Sequence, residues 1–445
     1  SSPALQAVWS QMAFTFNRQI ANHGTPEGSR WKVLQPATGT GKSQGLALYA
    51  SMLPAEGHPG VLIVTRLKAQ ADELAATVNA LAGTDVAFAY HSDSRADLET
   101  ITTKPVLVIT HRAYEIGLDA INRGQPQRSN WEAFTSWGLE GRKLVVIDEA
   151  LEIIEDAQVT LDDVRMLLAV LPVDVVHRFS PQVAAIETVK GCLERMATVS
   201  AARDVSEHER ILWRGTDRLP ASMDLTPLRS VLRDQRLDLR LTGRDDLGEN
   251  RRLARRFDHT LKGVQLVLDN WNWYAKKLND HTMNAARLIV PDEVTGAVIL
   301  DATANPNLIY KLFDYRVDVI PVPSVARRYD NVTLHVSKGH AVGKTALAGK
   351  AKEEAGKLVA ALEAKLSKDR KVFVCCHQQV EAQVVSYSPR FAAFEVGHWG
   401  AIDGRNSWHG FDTAVIFGLP YRDRIWSANT FMALQGLQST EWLTA

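Results

Sequence analysis

Two short runs hold side chains whose types and spacing suit one reaction. The first is Pro36-Ala37-Thr38-Gly39-Thr40-Gly41-Lys42-Ser43. Its glycines let the backbone curl, so that successive N–H groups can face one anionic group. Lys42 brings a mobile positive charge suited to the β- and γ-phosphates of a nucleotide, and Ser43 a hydroxyl oxygen suited to Mg2+. Ala37, Thr38, Gly39, Thr40, Gly41, Lys42 and Ser43 are therefore the expected nucleotide-binding residues, with Pro36 where the general phosphate-loop pattern has its first glycine. The second run, Leu144-Val145-Val146-Ile147-Asp148-Glu149-Ala150, reads as a buried strand ending in two acids. Asp148 suits the water shell of Mg2+, with Ser43 as its metal-side companion, and Glu149 suits orienting and deprotonating an attacking water. Either run alone is ambiguous. A Gly-rich surface turn can contain Lys-Ser by chance, and paired acids often only solvate a strand end. Together, in this order, they read as the two halves of one triphosphate-Mg2+ site.

Such a site needs a scaffold that brings a strand–turn–helix unit beside a second strand tip. An amphipathic helix to about Asn22 opens the chain (Leu5, Val8, Trp9, Met12, Phe16, Ile20). Then strand and helix patterns alternate: strand 31–35, helix 42–52, strand 61–64, helix 68–81, and strands 106–109 and 144–147. Continuous apolar strands separated by helices predict a parallel sheet covered on both faces. From about Leu151 to Val290 the pattern turns charged, Leu/Arg-rich and helical, over 161–171, 181–196 and 250–279. An apolar strand returns at 297–300, a Pro-containing stretch leads out over 320–330, and a second α/β unit follows with helix 352–366 and strands 371–376 and 413–417. The expected division is a first lobe over 1–150, a helical insertion over 151–290, the remainder of the first lobe and an exit linker over 291–325, and a second lobe over 326–445.

Composition narrows the classes. Lys plus Arg and Asp plus Glu each number 51, so any anionic polymer must be met by local rather than global positive charge. Three cysteines, Cys192, Cys375 and Cys376, are too few for a four-thiolate cluster, make no disulfide framework, and fit a reducing cytoplasm. No apolar run is long enough to span a membrane. Opening on Ser1-Ser2, the chain reads as a processed or excised piece of a longer protein.

Thr38-Gly39-Thr40-Gly41-Lys42-Ser43 and Asp148-Glu149-Ala150-Leu151 together resemble motifs I and II of superfamily 2 helicases, the DEAD/DEAH-like group. Further likenesses follow in that family's order. Residues Val64 to Gln70 look like motif Ia, and Val108 to Arg112 like motif Ib. Leu300-Asp301-Ala302-Thr303-Ala304 looks like motif III, with Asp301 in the serine place, and Phe373 to His377 looks like motif IV. Gly404-Arg405-Asn406 with Val415 to Tyr421 resembles motif V of the XPD/DinG branch, where Asn406 would be aspartate. The likeness covers nearly all of the chain except the insertion, which sits where that branch carries its arch domain. Two features depart from it. No Gln…Arg…Arg helix of motif VI precedes Ala445, so the second lobe reads as incomplete and its arginine finger is unnamed; Arg422 and Arg424 read as surface-loop residues. No cysteine lies between Lys42 and Asp148, so no iron–sulfur cluster is expected.

The resemblance implies an α/β fold of two RecA-like parallel-sheet lobes with a helical insertion in the first. It implies ATP hydrolysis coupled to movement on nucleic acid, first of all single-stranded DNA with 5′-to-3′ polarity. Thr303 would couple phosphate state to lobe position, and Gln11 would read adenine, its alternative being a plain helix-surface role. Thr65, Arg66, Thr110, His111, Arg112, His377 and Asn406 are the implied nucleic-acid contacts, donors suited to phosphates without reading sequence. Arg251, Arg252, Arg255 and Arg256 with Trp271, Trp273, Tyr274, Lys276 and Lys277 could hold a single strand or a protein partner, or form an amphipathic helix with core tryptophans. Trp399 and Trp408 carry the same choice between wedge and core. A double-strand translocase of a defence or restriction complex, an RNA helicase, and a nucleotide-binding switch without motor activity stay open.

Overall fold

The computed structural model describes residues 2–56, 59–94, 97–202, 210–213, 223–234, 247–277, 280–323, 329–337, 342–402, 407–422 and 424–435. After the helix Pro3–Ala21, the first five strands are β1 (Trp31–Leu34), β2 (Val61–Thr65), β3 (Ala87–Tyr90), β4 (Val106–Thr110) and β5 (Leu144–Asp148). The helices Lys42–Met52, Lys68–Ala82 and His111–Asn122 lie between them. Next come β6 (Ile154–Thr160), β7 (Arg210–Trp213), β8 (Asn272–Lys277) and β9 (Asp280–Leu288), with the helices Leu161–Val170, Ser180–Ala202 and Leu247–Asp269. Then β10 (Val298–Leu300) and β11 (Val317–Ile320) return, followed by β12 (Lys371–Cys376), β13 (Ala393–His398) and β14 (Thr413–Phe417).

The first lobe is a seven-stranded sheet ordered β11-β1-β10-β5-β2-β4-β3, parallel throughout. Its central strands are buried along their whole length, as unbroken apolar runs require. The period of two sorts their side chains between two cores. Val61, Ile63, Leu144 and Val146 meet Val8, Met12 and Phe16 of the first helix on one face. Leu62, Val64, Val145 and Ile147 meet Tyr114, Leu118 and Phe313 on the other. The second lobe is a parallel sheet ordered β13-β12-β14, with Ala351, Ala355, Val380 and Val384 of the helices Ala351–Lys365 and Gln378–Ser386 packed on Val372, Val374 and Cys376. The fold is thus α/β, with two RecA-like parallel-sheet lobes.

The insertion is rich in helix, as expected, and also holds a four-stranded antiparallel sheet, β6-β9-β8-β7, that sequence reading did not anticipate. The helix expected to run to 279 stops at Asp269, and its last stretch is strand β8. This sheet is covered on both faces, so no apolar–polar alternation marks it. One face carries Val159, Tyr274, Met283 and Ala285 under the insertion helices. On the other, Trp273 and Ala275 pack against Ile425, Ala428 and Met432 of the helix Arg424–Gln435. Among the described residues, no helix is long and apolar enough to cross a membrane. All three cysteines are buried thiols.

Candidate functional site

Strand order decides where the reactive residues meet. β10 lies between β1 and β5, and Leu34, Leu300 and Asp148 are level across the three. The turns leaving these carboxyl ends converge, in the crevice where open parallel sheets take their ligands.

The turn after β1 is built for close approach. Gly39 and Gly41 have φ of 81° and 69°, which a side chain would strain. Thr40 closes the loop, its amide donating to the Ala37 carbonyl at 3.1 Å and its hydroxyl to the same oxygen at 2.7 Å. Beneath lies Trp9, whose indole N–H donates to the Thr40 carbonyl at 3.0 Å. A Cβ on Gly41 or Gly45 would meet the Trp9 ring at 3.2 Å, so both glycines are fitted to it. Lys42 and Ser43 open the helix Lys42–Met52, whose first-turn amides have no partners within the helix and suit an anion.

Lys42, Ser43 and Asp148 come together at this point. The Lys42 ammonium is 3.0 Å from Asp148 Oδ1 and 3.5 Å from the Leu300 carbonyl, and Ser43 donates to Asp148 Oδ2 at 3.1 Å. Asp148 is 8% exposed, yet its Oδ1 accepts no hydrogen bond; Lys42 is its charge partner out of hydrogen-bonding alignment. A buried carboxylate oxygen left without a donor, beside a serine hydroxyl, is a hard oxygen pair of the kind Mg2+ takes while keeping waters and phosphates as its other ligands. Among the described residues, no group of three or more His, Cys, Asp or Glu forms a fuller metal cage.

Glu149 leaves the strand with φ 72°, a left-handed conformation costly for a side-chain-bearing residue, and its amide donates to the Leu300 carbonyl at 3.2 Å. His111 lies under the same strand end. It is buried, its Nε2 is 3.0 Å from the Asp148 carbonyl, and burial lowers its pKa, so the neutral ring donates there. Asp301 is also buried, accepting from the Thr303 amide at 2.8 Å, the Thr303 hydroxyl at 2.7 Å and the Tyr310 hydroxyl at 2.9 Å. Its own amide donates to the Leu34 carbonyl at 2.9 Å, so Asp301 ties the turn after β10 to β1. Burial and Asp301 both raise the Tyr310 pKa. Gln11 points along its own helix towards the Thr15 hydroxyl, 3.5 Å away. The buried glutamine of that helix is Gln19, which donates to the Gly28 and Gly296 carbonyls at 2.7 Å each.

The residues implied for nucleic acid divide by exposure. Thr65 and Thr110 are level on adjacent strands. Thr65 is buried, its hydroxyl donating to the Leu67 carbonyl at 3.3 Å, and Thr110 caps the next helix by accepting from the Ala113 amide at 3.3 Å. Arg66 and Arg112 are exposed beside them, Arg112 paired with Glu115 at 3.2 Å. On the second lobe, His377 is buried behind β12, its Nε2 without a hydrogen-bond partner; burial and Lys344 lower its pKa. Asn406 lies outside the described residues. Trp399 donates to the Gly418 carbonyl at 2.7 Å, while Trp408 stacks on Phe373 at 4.1 Å and donates to Glu395 at 2.6 Å. In the insertion, Trp273 and Tyr274 are fully buried and cannot stack on bases as they stand, while Arg252, Arg255 and Arg256 are exposed. Two site features carried no sequence signal: the Trp9 support beneath the phosphate loop, and a pairing of Arg422 with Glu152 at 3.0 Å.

No protein-family model matches the chain, and no curated protein matches it. Among solved structures it is similar to "Structure of S. tokodaii Xpd4", at 14% identity and a TM-score of 0.45, covering 98% of this chain and 89% of that one. A likeness so distant says nothing about activity.

Proposed function

We propose that the chain is an ATP-driven nucleic-acid motor, a helicase or translocase acting first of all on single-stranded DNA with 5′-to-3′ polarity. One observation carries the reading: Asp148 closes on Lys42 and Ser43, more than a hundred positions earlier, where the ends of β1 and β5 meet. Lys42 would exchange its Asp148 partner for the β- and γ-phosphates of ATP. Ser43 and Asp148 would hold Mg2+, which when bound supplies charge neutralisation of the phosphates. Glu149 takes the proton of the attacking water, and Asp301, through its amide bond to the Leu34 carbonyl, keeps the turn that bears Thr303 in register with the phosphate loop. In this reading the first lobe is 1–150 with 291–325, the insertion is 151–290, and 326–445 holds the second lobe, with its last helix, Arg424–Gln435, packed on the other two. Strands β1 to β5 sharing one sheet with β10 and β11 support it. The same reading makes Arg66 and Arg112 phosphate contacts, lets the insertion meet the strand or a protein partner, and places the chain in the cytoplasm.

The test is phosphate release from ATP with and without single-stranded DNA or RNA, for the wild type, Lys42→Ala and Glu149→Gln. Strand-stimulated turnover that both substitutions abolish is expected. Turnover indifferent to Lys42, or to every nucleic acid offered, would overturn the proposal. Strand displacement on 5′- and 3′-tailed duplexes then separates an unwinding motor from a double-strand translocase.

A further inference from the structure

The segment leaving β14 crosses from the second lobe to the first. The helix Arg424–Gln435 has no residue in the second-lobe core. Its Ile425, Ala428 and Met432 join Trp273 and Ala275 of the insertion sheet, and its Leu434 enters the core of the first lobe. Asn429, fully buried, accepts from the Trp273 indole at 2.9 Å. Just ahead of this helix, the Arg422 guanidinium lies 4.7 Å over the Trp426 ring and donates to Glu152 at 3.0 Å. Glu152 belongs to the turn that carries Glu149. Its neighbours Leu151 and Ile153 are 7% and 5% exposed, so that turn is pinned from below while Glu152 projects above it. Glu149 holds a left-handed backbone, so the direction in which its side chain leaves the chain is set by the turn that carries it.

Resting on the motor reading, we infer that Arg422 is a positioning residue for the hydrolytic step. In this role it acts through Glu152 rather than on the nucleotide. It grips the Glu149 turn through Glu152, from a segment whose other end is β14, so the aim of the catalytic base depends on where the second lobe sits. An exposed ion pair of this kind contributes little to stability, so its contribution belongs in the rate.

The experiment is steady-state ATP turnover of the full chain with and without oligo(dT), for R422Q, E152Q, the double R422Q/E152Q and the charge swap R422E/E152R. Each single substitution is expected to lower kcat about three- to tenfold with KM for ATP held within about twofold, the range that coupling through intermediate residues supplies. The double variant should be no slower than either single, the swap should regain about half of the lost rate, and all thermal melts should overlay the wild type. Single variants with wild-type kcat, losses confined to KM, or additive losses in the double would overturn the inference while leaving the motor reading in place. A wild-type chain without Lys42-dependent turnover would end both.

Discussion

Ser43 donates to Asp148 Oδ2 at 3.1 Å, joining the start of one helix to the tip of a strand 105 positions later. The bond uses one oxygen of the carboxylate and leaves the other with only the charge of Lys42 beside it, so Ser43 and Asp148 offer two of the six oxygens that Mg2+ takes. Asp148→Asn replaces a charged oxygen with an amide. Mg-nucleotide at about a hundredfold over its Kd should stabilise the wild type by about 2.7 kcal/mol. In D148N that gain should vanish while the ligand-free melt persists. A D148N protein still stabilised by Mg-nucleotide would show that the carboxylate does not hold the metal.

Backbone strain at Glu149 separates stability from activity. A left-handed residue with a side chain carries a cost of about 1–2 kcal/mol that glycine lacks. Glu149→Gly should therefore raise unfolding free energy by about 1 kcal/mol in urea titrations while removing ATP turnover. An unchanged or lower urea midpoint would mean that other contacts of the glutamate outweigh the strain.

Trp9 should matter to nucleotide binding without entering the chemistry. Trp9→Phe keeps the ring beneath Gly41 and Gly45 but deletes the N–H that holds the Thr40 carbonyl. One lost hydrogen bond of about 0.5–1.5 kcal/mol should raise KM for ATP roughly three- to tenfold and leave kcat near wild type. A fall in kcat at constant KM would place the tryptophan in the reaction rather than under the loop.

His111 gives the acid limb of stability a defined sign. Burial holds its pKa below the ordinary 6.5, so the native ring stays neutral where the unfolded one takes a proton. Above pH 6.5 both states are neutral and nothing is lost. As pH falls from there towards the lowered native value, the unfolded chain binds the extra proton and stability declines. His23, His281 and His377 are shifted the same way and share this limb. His111→Gln removes one share, so its unfolding free energy should fall less steeply between pH 6.5 and 5. Parallel curves for the two proteins would show that His111 titrates alike folded and unfolded.

The sequence made the first lobe legible because its strands are short unbroken apolar runs ending in residues with unusual chemistry. Strands 106–109 and 144–147 are found at Val106–Thr110 and Leu144–Asp148, and the helix 42–52 at Lys42–Met52. The insertion sheet stayed hidden for a physical reason. Asn284 is fully buried, its amide donating to the Trp273 carbonyl at 3.2 Å and the Thr282 hydroxyl at 3.1 Å, and Ala285 and Ala286 follow it. Buried polar groups and alanines erase the alternation that marks a strand, and alanine favours helix. β11 was hidden too, within a stretch read partly as linker, because its exposed Val319 lies on an edge strand. Contacts such as Arg422 with Glu152 join residues far apart in sequence that no local pattern relates.

The place of β10 also sets an order of assembly. β1, which carries the phosphate loop, has only β10 and β11 as neighbours in the sheet. A ribosome releases β1 through β5 first, then the whole insertion, and only then the strand that fills the gap. At about 5–20 residues per second that is a wait of roughly ten to thirty seconds. During it β2, β3, β4 and β5 can pair among themselves while β1 has no ladder to join. The nascent chain therefore cannot form its nucleotide pocket until the insertion has been synthesised, and a defect that stalls the insertion would leave the glycine turn without the acids it must face.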